Sequence, residues 1–250
     1  MPLPMVHLAI AFRLLPTLPE IPVGQLLLGS IAPDGIHMRD GATRVDKRRL
    51  HLFQDHDSLS DRLSRVDELP ERVDHGVPIG FLTGWQMHLV ADCLWSKYIV
   101  YALWDAHTED VTAQERKERY YKETDKADFI LHRTAPWTDD AWKALRRVQV
   151  PSFDGYLSSE EIDGWRHRLL RWFADPQKEP LDDPEFFTTE LVADFIEFSA
   201  AVLSEGFATS FGPVAVQLEQ SYANAFEHWR HEQRPWPARV LAAEVENPDA

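Results

Sequence analysis

Gly80-Phe81-Leu82-Thr83-Gly84-Trp85-Gln86-Met87-His88-Leu89-Val90-Ala91-Asp92-Cys93-Leu94-Trp95 sets a histidine and an aspartate four residues apart inside an apolar run. The run has no sustained period-two alternation and reads as helix. Positions i and i+4 lie one above the other on a helix, so the imidazole and the carboxylate point into the same space. A carboxylate in apolar surroundings costs several kcal/mol unless a cation meets it. A bound metal is such a partner, because it accepts both neutral imidazole and carboxylate oxygen.

Chance alone supplies about one His-x3-Asp pair in a chain of this composition. A second pair, His51 with Asp55, is in fact present. What singles out His88 and Asp92 is their setting and three residues upstream. His7 stands in Pro4-Met5-Val6-His7-Leu8-Ala9-Ile10, Asp34 closes Gly29-Ser30-Ile31-Ala32-Pro33-Asp34, and His51 lies in Leu50-His51-Leu52-Phe53. A lone core histidine is more often a satisfied hydrogen-bonding group than a ligand. Five such residues within the first ninety-two positions are hard to treat as separate accidents.

These motifs resemble the zinc-dependent phospholipase C family, a distant relative of the single-strand-specific zinc nucleases. His7 near the start, Gly-Ser-Ile-Ala-Pro-Asp ending at Asp34, His51 before an aromatic, and Gly-Trp-Gln-Met-His-Leu-Val-Ala-Asp from Gly84 to Asp92 carry the likeness over the first half of the chain. The resemblance implies Asp34, His51, His88 and Asp92 around one ion, with Asp92 bridging to a second ion at His7. It also implies Asp34 as the catalytic carboxylate. Secreted members begin at a processed tryptophan and place another His, then a His-x3-Glu pair, soon after the aspartate. This chain starts Met1-Pro2, its next histidine is His107, and its only His-x3-Glu is His228 with Glu232. A one- or two-metal version is therefore expected, with zinc first and manganese, iron, nickel or magnesium compatible with the donors.

Composition sets the frame. The 250 residues, 44% hydrophobic with nine tryptophans, suffice for one substantial core. The formal charge of −15 disfavours nucleic-acid and anionic-membrane partners, which need a basic face. Cys93 is the only cysteine, so no intrachain disulfide is expected. The opening residues lack a basic n-region and a small-residue cleavage site, and no apolar run reaches bilayer length. A cytoplasmic location without membrane insertion is the expectation, unlike the secreted phospholipases.

The pattern predicts an all-α, single-domain bundle over 1–235 with a tail at 236–250. Helices are expected from Pro4 to Leu15, Val23 to Ser30, Pro78 to Trp104, Thr112 to Arg133, Ser158 to Trp172, Thr188 to Phe211 and Pro213 to Gln233. Pro33-Asp34-Gly35 reads as a turn, Asp40 to Lys47 as loop, and Gln54 to Gly76 as a polar surface excursion. On the helix from Thr112, Tyr121, Asp125, Asp128 and His132 fall on one face, so Asp125, Asp128 and His132 are candidate site lining. His228, His231 and Glu232 read as a solvated helix end.

The expected function is a metal-dependent hydrolase acting on a small-molecule phosphate ester through metal-activated water. Two alternatives remain. One is a non-catalytic metal-binding or scaffolding protein that keeps the fold. The other is an HD-type phosphohydrolase, which needs an adjacent His-Asp pair, found only at His56-Asp57. No Gly-x-Ser-x-Gly is present, and Cys93 beside Asp92 is a poor thiolate.

Overall fold

The computed structural model describes residues 4–54, 57–73 and 76–220. Among these the chain is helical with no strand; one isolated bridge pairs Phe153 with Leu157. In chain order the helices are α1 (Pro4–Leu14), α2 (Val23–Ile31), α3 (Arg44–Leu50), α4 (Leu59–Asp67), α5 (Leu69–Arg72), α6 (Ile79–Leu94), α7 (Asp105–His107), α8 (Ala113–Thr134), α9 (Thr138–Arg147), α10 (Ser159–Trp172) and α11 (Thr189–Ala208). Residues 211–220 are helical as well. No helix among them is long and apolar enough to cross a membrane. Tail residues 236–250 and His228, His231 and Glu232 lie outside the described residues.

Helix α6 is buried on every side, from Gly80 to Leu94, as expected of a helix that is apolar all round and forms the centre of a globule. Pro78 precedes it and lends no N–H to the first turn. Helix α1 is nearly as enclosed, with only Phe12 and Arg13 outside the buried set. Pro16 ends it in a 3-10 turn, Leu15–Thr17.

Helices α2 and α6 cross with their backbones in contact at two glycines. A Cβ on Gly29 would stand 2.0 Å from the Phe81 carbonyl oxygen, and one on Gly84 would stand 2.2 Å from that of Leu26. Only hydrogen fits there. This close approach places α2, and the 3-10 helix Ala32–Met38 that follows it, against the His88 side of α6.

Several expectations need correction. Asp34 is not in a simple turn but within the 3-10 helix, where Pro33 tolerates the tight winding. Regular structure resumes at Arg44 rather than Arg48, because Thr43 and Asp46 form a reciprocal capping box. The polar excursion is not all surface loop: Ser58 and Asp61 cap α4, whose Leu59, Leu63 and Val66 are buried. Helix α9 was not foreseen, although Ala141, Trp142 and Leu145 give it a clear inward face. The long central helix changes winding after Leu94, and Trp95–Trp104 form a π-helix. Its buried Trp95 donates Nε1–H to the Tyr120 hydroxyl at 2.7 Å. An aromatic cluster with Phe187 and Phe195 closes around Trp95.

Candidate metal centre

His7 comes from α1, Asp34 from the 3-10 helix, His51 from the residue that ends α3, and His88 with Asp92 from α6. The fold brings all five together, and none is more than 7% exposed. Asp92 lies at the middle. Its Oδ1 is 3.5 Å from His7 Nε2, while its Oδ2 is 3.5 Å from His51 Nε2 and 3.7 Å from His88 Nε2. Asp34 Oδ1 is 3.8 Å from His51 Nε2.

Two imidazoles are aimed by backbone carbonyls. His88 Nδ1 lies 2.9 Å from the Ser30 oxygen and His51 Nδ1 3.0 Å from the Lys47 oxygen. A carbonyl only accepts, so each Nδ1 carries the proton and each Nε2 presents a lone pair. Those two Nε2 atoms face each other at 3.4 Å. Two lone pairs at that distance repel unless a cation stands between them. His7 stacks on His88 with ring centroids 4.0 Å apart.

The spacings fit shared ions better than direct hydrogen bonds. Ligand atoms about 2.0–2.1 Å from a tetrahedral ion stand about 3.3–3.5 Å from one another. Both nitrogens of His7, Oδ1 of Asp34 and Oδ1 of Asp92 are buried without a hydrogen-bond partner, a costly state that a cation would relieve. Two sets of donors lie within mutual reach: His7, His88 and Asp92, and Asp34, His51 and His88. His88 Nε2 has one lone pair and can serve one ion. Asp92 turns one oxygen to His7 and the other to His51 and His88.

Electrostatics agree with neutral rings and ionised carboxylates. Burial, with His7 stacked alongside, lowers His88 to about 3, and burial likewise lowers His51. Burial acts to raise Asp92 and Asp34, but the surrounding imidazoles outweigh it and hold both below the ordinary carboxylate range. Burial pushes the Cys93 thiol up to about 12.

The candidate lining residues are not brought into the cluster. Asp128 is buried, but its Oδ2 accepts the Met5 N–H at 3.3 Å at the start of α1. Asp125, half-buried on the same helix, is raised to about 6 by burial. His132 accepts the Trp142 Nε1–H at 2.9 Å and stacks on Phe173. Two other residues do reach the site. His37 Nε2 and Lys47 Nζ lie 3.8 Å and 4.0 Å from Asp34 Oδ1. Their signal was in the spacing, since His37 follows Asp34 by three and Lys47 precedes His51 by four.

No family model matches this chain, and no curated protein or solved structure matches it.

Proposed function

We propose that the chain is a metal-dependent hydrolase of phosphate esters, on a helical fold of the zinc-dependent phospholipase C type. The observation that carries the reading is the facing pair of His51 and His88 Nε2 atoms, buried beside Asp92, with each Nδ1 turned to a backbone carbonyl. Asp34, His51, His88 and Asp92 would hold one divalent ion, and His7 with Asp92 would hold a second. Nitrogen and oxygen donors suit zinc and also manganese, iron, nickel and magnesium; the motif resemblance favours zinc. When bound, such ions lower the pKa of coordinated water from about 16 towards 7 and offset phosphoryl charge.

The chain's own groups then orient and expose. Asp34, held below the ordinary carboxylate range, is a weak base, so its role is to aim the attacking water through an accepted hydrogen bond. The water oxygen would bond to phosphorus as that water gives up a proton to solvent, the ester P–O bond would break, and the alcohol would leave with a proton taken from solvent. Beside Asp34 stands His37, at 3.8 Å, with a side chain 48% exposed. Cys93 stays a thiol and plays no part as a nucleophile. The HD-type alternative loses support because Asp57 is held by Arg65 and the Gln54 N–H.

Elemental analysis of protein purified without chelator, followed by a panel of phosphate esters with each candidate metal, tests the proposal. Bound metal with turnover of at least one ester is expected. Bound metal without turnover on any ester would favour the non-catalytic alternative, and absence of metal would overturn both.

A further inference from the structure

We infer that the open side of this centre is a receiving site for the dianionic phosphate of a monoester, with Lys47 as the residue that positions it; this rests on the hydrolase reading and narrows its substrate class. Two donors stand beside Asp34 and are themselves partly exposed. Lys47 Nζ stands 4.0 Å from Asp34 Oδ1 without hydrogen-bonding it, and its side chain is 29% exposed. His37 stands at 3.8 Å from the same oxygen. The Trp165 ring packs beside His37 at 5.7 Å between centroids, and the Arg168 guanidinium lies 5.8 Å from the centre of the Trp165 ring.

Apart from Asp34, the neighbouring carboxylates are engaged elsewhere. Glu161 is bound by Arg39 at 2.6 Å, Asp46 is folded back onto the Thr43 cap, and Asp163 is bound by Arg166. In a chain of net charge −15, Lys47 lies beside Asp34 and Arg168 beside Trp165, two cations that locally offset the acidic balance. With the centre's own carboxylates engaged by metal, these cations would favour an anion where long-range charge disfavours it.

Charge selects a monoester. A phosphate monoester carries about two negative charges near neutral pH and three unesterified oxygens. Ions held by the five ligands would offset charge on the phosphoryl group, and Lys47 would offer one of its oxygens a point charge from the chain itself. A diester has one charge fewer and would gain less from Lys47.

Substituting Lys47 spares the metal ligands, because His51 is held by the Lys47 carbonyl and not by its side chain. Lys47→Met keeps a good helix former of similar length. The test compares metal-loaded wild type with Lys47→Met and Lys47→Arg, each checked for metal content and circular dichroism. Two readouts are taken: inorganic phosphate binding by calorimetry, and the ratio of kcat/KM for para-nitrophenyl phosphate to that for bis-para-nitrophenyl phosphate. We expect phosphate affinity and the monoester-to-diester ratio to fall tenfold or more in Lys47→Met and to recover in part in Lys47→Arg. Unchanged phosphate affinity in Lys47→Met, or failure of wild type to bind phosphate, would overturn the inference. If wild type turns over neither ester, the hydrolase reading fails, while phosphate binding still decides whether Lys47 receives an anion.

Discussion

Gly84→Ala should loosen the metal centre without altering any side chain in it. The added Cβ would lie 2.2 Å from the Leu26 oxygen and 2.7 Å from the Ser30 nitrogen. Both are backbone atoms, so no rotamer relieves the clash and α2 must part from α6 by about 1 Å. Ser30 is the α2 residue whose carbonyl holds His88 Nδ1 at 2.9 Å. The same displacement takes that pair to about 4 Å, beyond a hydrogen bond. Alanine gains about 1 kcal/mol in helix propensity, against about 1–3 kcal/mol of overpacking and about 1–3 kcal/mol for the buried donor left unpaired. The net loss is about 1–5 kcal/mol, or a Tm lower by about 2–4 °C for each kcal/mol. Metal affinity should fall by about 10–100-fold, the usual cost of losing a partner that orients a ligand. Thermal melts and metal titration, with Gly76→Ala as a control where nothing lies within 4 Å, give the readout. A Gly84→Ala protein with wild-type Tm and metal affinity would refute the account of the α2–α6 crossing.

Asp128→Asn should flatten the pH dependence of stability in the metal-free protein. Burial holds the Asp128 carboxyl well above its ordinary value, so the folded chain keeps a proton that the unfolded chain has lost. Stability should then fall as pH rises from the ordinary carboxylate pKa of about 4 towards the folded value, and melts between pH 4 and pH 8 should show this slope in wild type and a weaker one in Asp128→Asn. His228→Ala should leave metal content unchanged, as elemental analysis will show; a loss of metal there would mean that the wrong histidines were chosen.

The helical fold class was legible in the periodicity, and the burial of the five residues in the apolar context around each. His88 and Asp92 needed only helical periodicity to share a face. His7 and His51 needed the motif resemblance, because nothing local says that α1 and the end of α3 meet α6. The Gly29–Gly84 crossing was not legible, since a glycine in a helix signals close approach but not its partner. The capping boxes at Thr43 and Ser58 were readable and were outweighed by the polar composition around them. Asp125, Asp128 and His132 shared a helical face as expected. Asp128 is engaged at the α1 N-terminus and His132 beside Trp142, contacts that periodicity alone does not reveal.

Asp92 joins the two halves of the proposed centre, with one oxygen 3.5 Å from His7 and the other 3.5 Å from His51. The most direct test is metal stoichiometry, by elemental analysis, of wild type and Asp92→Asn purified side by side without chelator. Asparagine keeps the shape and removes the charge that balances the ions. One or two divalent ions per chain in wild type, well below one in Asp92→Asn, with a lower Tm for the variant, is the predicted result. Wild type free of metal, or Asp92→Asn retaining its full complement, would contradict the account.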